Sequence, residues 1–534
     1  MSLNIETVKT KPYLNQEFGT SGVRKSVKVF KQENYLNNLL WAIFTVGDFK
    51  NKTIVLGGDG RYFNKEAILT ALKMLIACNA KKVYIAKNGW LSTPAISIVI
   101  KKYKLDYGII FSASHNPAGE EGDFGVKVNS SNGSGINKKL CSQIYEYTKK
   151  ITSYDIVQNV NFNIDTIQKN KFLNTEVEVI DSVYDYTSLM EHIFDFNKIK
   201  DLFKQNFTMK YEGYNAITGI YAKDIFFNKL NVPLESLNNI QSLEDFGKHH
   251  ADPNSLYAKH LIDLSKSANS PDIIFASDGD GDRNLIIGKN VVVSPCDSLA
   301  ILLKYAHFIP YYKQMGIKGV ARSMPTSRAV DVVAKALNIN CYEVPTGWRF
   351  FGSLLENNLI TFCGEESYGT GSIHCGEKDG LWAMLFWLNI IAELKLPVKE
   401  VVENLWKTYG RYYFSRLDYF NITQEIKENI FNNFISLNNQ QYLEKQVFVT
   451  EFVYTDNFLK EVINTKAYIM QIGKDIRLIL RASGTDTSNI TLRLYVEKYQ
   501  SDTSNIFEES SVYIKDLLPL INKITLNIKP NIID

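Results

Sequence analysis

The stretch Thr53–Asp59, TIVLGGD, together with NKEAILTALKMLIACNA (Asn64–Ala80) and KKVYIAK (Lys81–Lys87), decides the fold. A short apolar run ending in glycines, an apolar stripe at helical spacing and a second short apolar run read strand, helix, strand. TPAISIVIKKYK (Thr93–Lys104) continues as a helix and YGIIFSA (Tyr107–Ala113) as a strand. That βαβαβ order implies a mostly parallel sheet covered by helices. The design recurs. GIIFSASHN (Gly108–Asn116), DIIFASDGD (Asp272–Asp280) and LITFCGEES (Leu359–Ser367) are each an apolar strand that ends in small residues and opens into a polar loop. Helical stretches such as SLYAKHLIDLSKSA (Ser255–Ala268) and SRAVDVVAKALNI (Ser327–Ile339) precede or separate them. The expectation is three tandem, related α/β domains with mixed, mostly parallel sheets, at residues 1–180, 181–292 and 293–408. KNKFLNTEVEVIDS (Lys169–Ser182) is expected to link the first two. Past Gly410 two helical stretches, FNITQEIKENIFNNFISL (Phe420–Leu437) and SVYIKDLLPLINKI (Ser511–Ile524), flank two strands joined by a Ser/Thr/Gly loop. This reads as a smaller α+β domain, 409–534. Ligands gather at the carboxyl ends of strands in such sheets, so three strand-end loops can meet in one cleft.

Composition narrows the function. Lys+Arg total 60 and Asp+Glu 57, a net charge of +3, which argues against a nucleic-acid binder working by bulk charge. The longest apolar run, LWAMLFWLNIIAEL (Leu381–Leu394), is shorter than a membrane span and is broken by Asn389 and Glu393, so a buried helix is expected and no membrane partner. The six cysteines, at 78, 141, 296, 341, 363 and 375, form no C-x-x-C pair and read as free thiols in a reducing compartment. The opening MSLNIETVKTKPYL lacks the apolar core of a signal peptide, and a cytoplasmic protein is expected.

Four loops carry the chemistry. SDGDGDR (Ser277–Arg283) crowds Asp278, Asp280 and Asp282 at alternate positions. Carboxylate oxygens suit a hard cation, Mg²⁺ or Ca²⁺. An EF-hand would need Gly and Glu where Arg283 and Lys289 stand, so that reading fails. An aspartyl nucleophile and a plain solvated turn stay open. SASHNPAGEEGDFGVKVN (Ser112–Asn129) places Ser114 beside His115, with Lys127 beyond three glycines. Ser114 reads equally as a nucleophile or as a turn residue, because adjacency in sequence does not supply hydrogen-bond geometry. CGEESYGTGSIHCGEKDG (Cys363–Gly380) carries Glu365, Glu366, Ser367, His374 and Lys378. These groups can bind sugar hydroxyls and phosphate, or can simply form a charged surface loop. In RASGTDTSNITLR (Arg481–Arg493), two arginines flank hydroxyls and a glycine, a set that matches phosphate oxygens; exposed strand arginines are the competing reading.

In this order the loops resemble the phosphoglucomutase branch of the α-D-phosphohexomutase family. FGTSGVRK, GGDGRYF, SASHNP, GDFGVKVN, DFGKHHADPN, DGDGDRN, RSMPTSRA, VPTGWRFFG, GEESYGTGS, EKDGLWA and RASGTDTSNITLRLY carry the resemblance along nearly the whole chain. It implies a heart-shaped, four-domain monomer around a central cleft, interconverting glucose 1-phosphate and glucose 6-phosphate with Mg²⁺ and with glucose 1,6-bisphosphate as intermediate and activator. It implies that Ser114 carries the phosphoryl group and, with Asp278, Asp280 and Asp282, holds the metal. His115, Lys127 and Lys378 are expected to be catalytic. Arg24, Arg283, Thr346, Gly347, Glu365, Ser367, Lys378, Arg481, Ser483, Gly484, Thr485 and Arg493 are expected to bind substrate. The chain departs from the branch at Ile373 and Gly376, where Asp and Arg are usual, and at Arg349, Arg328 and Asp486. A mutase for another sugar, a bisphosphate synthase and a silent binding paralogue are the alternatives.

Overall fold

In the computed structural model, residues 3–19, 22–458, 460–483, 490–502 and 506–533 are described. Three sheets repeat one plan. In the first, Thr53–Gly58 runs parallel to Lys82–Trp90 and to Tyr107–Phe111, and Tyr107–Phe111 pairs antiparallel with Asp123–Ser130. In the second, Ile273–Ser277 is parallel to Met209–Glu212 and antiparallel to Asn284–Gly288. In the third, Phe362–Gly364 is parallel to Gly319–Ser323 and antiparallel to Thr370–Ser372. In each of these three sheets a chemical loop thus leaves a buried parallel strand that pairs with its own antiparallel return strand. A strand buried on both faces must be apolar throughout, which is why these three read as unbroken apolar runs.

The segment Lys169–Ser182 is not a linker. Lys169–Phe172 and Thr175–Ile180 form a hairpin on the edge of the first sheet, with Thr175–Ile180 parallel to Lys82–Trp90. TEVEVI alternates polar and apolar residues, and Val177 and Val179 are buried, so burial of one strand face places the segment in the sheet.

The helix Gly380–Leu394 is buried from Gly380 through Ile391 and carries Trp382 and Trp387 into the largest apolar cluster. Apolar residues on all sides mark a helix sunk in a core. Among the described residues no single helix is long and apolar enough to cross a membrane.

The last sheet has seven strands, all antiparallel. Arg411–Ile422 is a strand, so the helix expected from Phe420 starts only at Gln424, where Thr423 Oγ1 accepts the Ile426 N–H as its cap. A long hairpin, Lys445–Asp456 with Glu461–Ile472, completes this sheet.

Candidate active site

The serine loop is pinned by buried charge. Arg61 is 1% exposed; its Nε meets both oxygens of Asp59 at 3.0 and 2.9 Å. Its Nη2 donates to the Ser114 carbonyl at 2.7 Å and its Nη1 to the Asp123 carbonyl at 2.8 Å. Ser112 Oγ accepts the Ser114 N–H at 2.8 Å and donates to Asp59 at 2.5 Å. Ser114 itself sits at φ 55°, a left-handed conformation that costs a residue with a side chain about 1–2 kcal/mol. The surrounding bonds hold it there, and strain of this kind clusters at functional positions.

That conformation aims Ser114 Oγ at the aspartate loop. Oγ donates to Asp278 Oδ2 at 3.0 Å and lies 3.4 Å from His115 Nδ1. A Cβ on Gly279 would sit 2.4 Å from the Ser114 carbonyl oxygen, so glycine there is what lets the two loops touch. Asp278, Asp280 and Asp282 are all buried, with ligand oxygens within 4.8 Å of one another. Asp280 Oδ2 accepts from Lys127 Nζ at 2.5 Å and from Thr93 Oγ1 at 2.6 Å, and Asp282 Oδ2 lies 2.9 Å from Lys378 Nζ. Asp280 Oδ1 and Asp282 Oδ1 are buried with no hydrogen-bond partner among the described residues. Unpaired buried carboxylate oxygens are costly, and two of them beside the third carboxylate form a donor set that fits a hard divalent cation. The trio can hold a metal ion.

Electrostatics follow from the crowding. Burial, then Asp282 and Asp280, push the Asp278 carboxyl far above the usual range. Burial also works against the Asp280 carboxylate, but Lys127 and its hydrogen bonds hold it well below that range. His115 is driven down by burial and by Arg283 and Arg24, which keeps it neutral at pH 7. Burial opposes the charge of Lys378, yet Asp282, Glu365 and Glu377 together push its ammonium up. Arg24 has a buried, unpartnered Nε, and burial followed by Arg283 and Arg61 lowers it against the pull of Asp280 and Asp282.

The loop Cys363–Gly380, expected from the sequence to be the sugar loop, closes on the same cluster. Gly347 N–H donates to Glu365 Oε1 at 3.2 Å, Thr346 Oγ1 is buried without a hydrogen-bond partner among the described residues, and Ser367 is half-buried on the turn beyond Glu365. Glu366 anchors the loop instead, accepting from Ser323 Oγ at 3.1 Å while its N–H donates to Thr326 Oγ1 at 2.9 Å. In the last domain Arg481 and Arg493 are cross-strand neighbours. Arg481 Nη1 donates to Tyr495 OH at 3.3 Å; burial opposes its charge, while Tyr495, Glu366 and Glu365 raise it, which links it to the sugar loop. Nothing is described of the Ser483 side chain, and Gly484, Thr485 and Asp486 lie outside the described residues.

Several residues escape the sequence reading. Arg61 and Asp59 fix the serine loop. Asp252 takes Arg283 Nη1 at 2.9 Å from a segment with no strand-end signature. Arg416 forks onto buried Asp418 at 2.9 and 2.8 Å beside Arg493. Glu377 lines a small cavity with Lys127, Asp282 and Lys378, and burial, with Asp282 adding and Lys378 opposing, pushes its carboxyl up to about 7. Asp59, Arg61, Asp252 and Glu377 lie in the quoted motifs GGDGRYF, DFGKHHADPN and EKDGLWA, which gave them no role; Arg416 had no signal. Arg328, read as a departure, ties the third domain to the fourth through Glu497 at 2.6 Å, and Arg477 does so through Glu343 at 2.5 Å.

Family models for phosphoglucomutase/phosphomannomutase α/β/α domains I, II and III match residues 15–155, 184–291 and 296–409, and one for a phosphoglucomutase-1 C-terminal domain matches 411–529. The chain belongs to the phosphoglucomutase/phosphomannomutase family. It is similar to a phosphoglucomutase of Rhizobium radiobacter, 44% identical over 97% of each chain. It is 41% identical to a chloroplastic phosphoglucomutase of Solanum tuberosum, over 97% of this chain and 85% of the relative. The crystal structure of the Paramecium phosphoprotein pp63/parafusin, a phosphoglucomutase in an open form, superposes over 100% of both chains with a TM-score of 0.92 and 36% identity. Membership makes the chain an isomerase that moves phosphoryl groups on sugar phosphates.

Proposed function

We propose that the chain interconverts glucose 1-phosphate and glucose 6-phosphate through a phosphoserine at Ser114 and a glucose 1,6-bisphosphate intermediate. The observation that carries this reading is the strained Ser114, its Oγ held 3.0 Å from Asp278 at the mouth of the buried carboxylate trio. In this reading Asp278, Asp280 and Asp282, with the phosphate on Ser114, hold Mg²⁺, which withdraws charge from the phosphoryl oxygens. Phosphoryl transfer needs positioning and charge stabilisation more than covalent help, and Lys127, Lys378 and Arg283 supply the positive groups around that point. The phosphorus–Oγ bond breaks as a bond to the free sugar hydroxyl forms. In net the proton of the sugar hydroxyl passes to the departing Ser114 Oγ, and neutral His115 Nδ1, 3.4 Å from that oxygen, can relay it. The bisphosphate turns over and its other phosphate passes back to Ser114, releasing the isomer.

Glu365, Ser367, Thr346 and Gly347 are assigned to the sugar, Arg24 to the reacting phosphate, and Arg481, Ser483, Gly484, Thr485 and Arg493 to the distal phosphate. Units 1–180, 181–292, 293–408 and 409–534 would supply the serine, metal, sugar and distal-phosphate loops in turn. The six free cysteines support a reducing, cytoplasmic setting. A coupled assay with glucose 1-phosphate, bisphosphate primer and Mg²⁺, run on the unaltered chain and on Ser114→Ala, tests the reading. Activity and a phosphoserine peptide containing Ser114 are expected from the first, and a loss of several decades in rate from the second. Near-normal turnover by Ser114→Ala would defeat the covalent mechanism.

A further inference from the structure

A cavity of about 460 Å³ lies away from the catalytic cluster, at the seam between the helix Thr93–Tyr103, the turn 131–134 and the helix Arg349–Glu356. Lys101 reaches into it from the first helix. Its Nζ donates to the Ile373 carbonyl at 3.0 Å, and its stem lies against Gly133, where a Cβ would come within 3.3 Å of Lys101 Cε. Among the described residues no carboxylate comes within ion-pair distance of Lys101. Burial lowers its proton affinity, with only Cys375 acting the other way. The two acidic residues of the lining carry hydrogen bonds of their own and make no ion pair with Lys101. Asp106 accepts from the N–H and the hydroxyl of Thr53, each at 2.8 Å, and Glu356 accepts from Asn132 Nδ2 at 3.2 Å. Lys104, which caps the C-terminus of the same helix, also lines the cavity. A partly buried ammonium with one of its three donors used and no ion pair among the described residues keeps two donors for a further acceptor, and exposed Lys104 adds a second positive group to the lining.

We propose that this seam cavity binds a phosphate-type anion, inorganic phosphate or the phosphate group of a monoester, on Lys101 and Lys104, and that its occupancy is felt by the catalytic loop. The connection is short. Gly376 O accepts from Ser134 Oγ at 2.9 Å and from Trp348 Nε1 at 3.1 Å, and Lys378, whose ammonium lies 5.9 Å from the Trp348 ring, follows two residues later. An anion that shares Lys101 with the Ile373 carbonyl therefore acts on the segment that leads to Lys378.

The test keeps the sugar-phosphate cleft filled. Full-length Ser114→Ala protein, which cannot turn over, is saturated with glucose 6-phosphate and dialysed against radiolabelled inorganic phosphate. One phosphate per chain is expected to remain bound. Adding Lys101→Met should weaken it about tenfold or more, the size of one lost charged hydrogen bond, while Lys101→Arg retains it. Competition by glycerol phosphate shows whether the site also takes monoesters. In the unaltered chain, independent of any variant's folding, phosphate should slow labelling of the Lys101 amine several-fold. Equal phosphate binding with Met at 101, or a labelling rate indifferent to phosphate, overturns the proposal.

Discussion

Arg493 separates a structural arginine from one that grips substrate. Its Nε is buried and lies 3.5 Å from Asp418 Oδ2, beyond good hydrogen-bond reach, and has no hydrogen-bond partner among the described residues. Asp418 is 1% exposed, but Arg416 already meets both of its oxygens at 2.9 and 2.8 Å. Arg493→Ala therefore leaves Asp418 paired, and the stability cost should be about 1 kcal/mol, the order of a modest ion pair. Arg416→Ala, in contrast, removes the fork and leaves a buried carboxylate nearly alone, a loss of about 3–5 kcal/mol. If Arg493 instead saves its donors for the non-reacting phosphate, its removal costs roughly 1.5–3 kcal/mol of binding, or about 10- to 150-fold in KM for glucose 1-phosphate. More intermediate should also escape per cycle, which raises the dependence on added glucose 1,6-bisphosphate. The assay is activity against primer and substrate concentration for both variants, beside urea unfolding of each. Superimposable kinetic curves for Arg493→Ala, or a stability loss as large as that of Arg416→Ala, would show that Arg493 belongs to the scaffold.

Three further outcomes are expected. Asp280→Asn, which keeps an acceptor for Lys127 and Thr93, should abolish most turnover with little loss of fold; EDTA should inactivate the unaltered chain and Mg²⁺ restore it, and full activity after exhaustive chelation would remove the metal from the reading. Glu377 is lifted from 4.5 to about 7, so the folded chain holds this proton more tightly than the unfolded one. The penalty is absent below the unfolded value and complete above the folded one, so unfolding free energy should fall by about 3 kcal/mol as pH rises through that window; Glu377→Gln should flatten that fall, and parallel pH–stability curves would contradict it. Glu365→Ala should impair turnover of glucose phosphates while sparing phosphorylation of Ser114 by the bisphosphate; failure of the phosphorylation step alone would reassign Glu365.

The sequence by itself determined the repeated strand-to-loop units, because strands buried on both faces must be apolar and loops that carry charge must leave the core. It also determined the aspartate trio, whose alternate spacing is covalent and local, and the candidate serine, though not its role. It misjudged Lys169–Ser182, since two short strands on a sheet edge leave little signal beyond the alternation of TEVEVI. Only the tertiary structure decided which charges meet. Ser114 reaches Asp278 from 164 residues away in the chain, Asp282 faces Lys378 from another domain, and Arg61 holds the serine carbonyl. Thr93 and Arg416 stood in no motif, and Asp252 and Glu377 stood in quoted motifs with no role attached, because their roles lie in the distance to a partner rather than in their neighbours along the chain. The left-handed Ser114 is the sharpest case. Its residue type disfavours that conformation, and only the packing of Arg61, Ser112 and Gly279 around it makes the strained backbone the stable one.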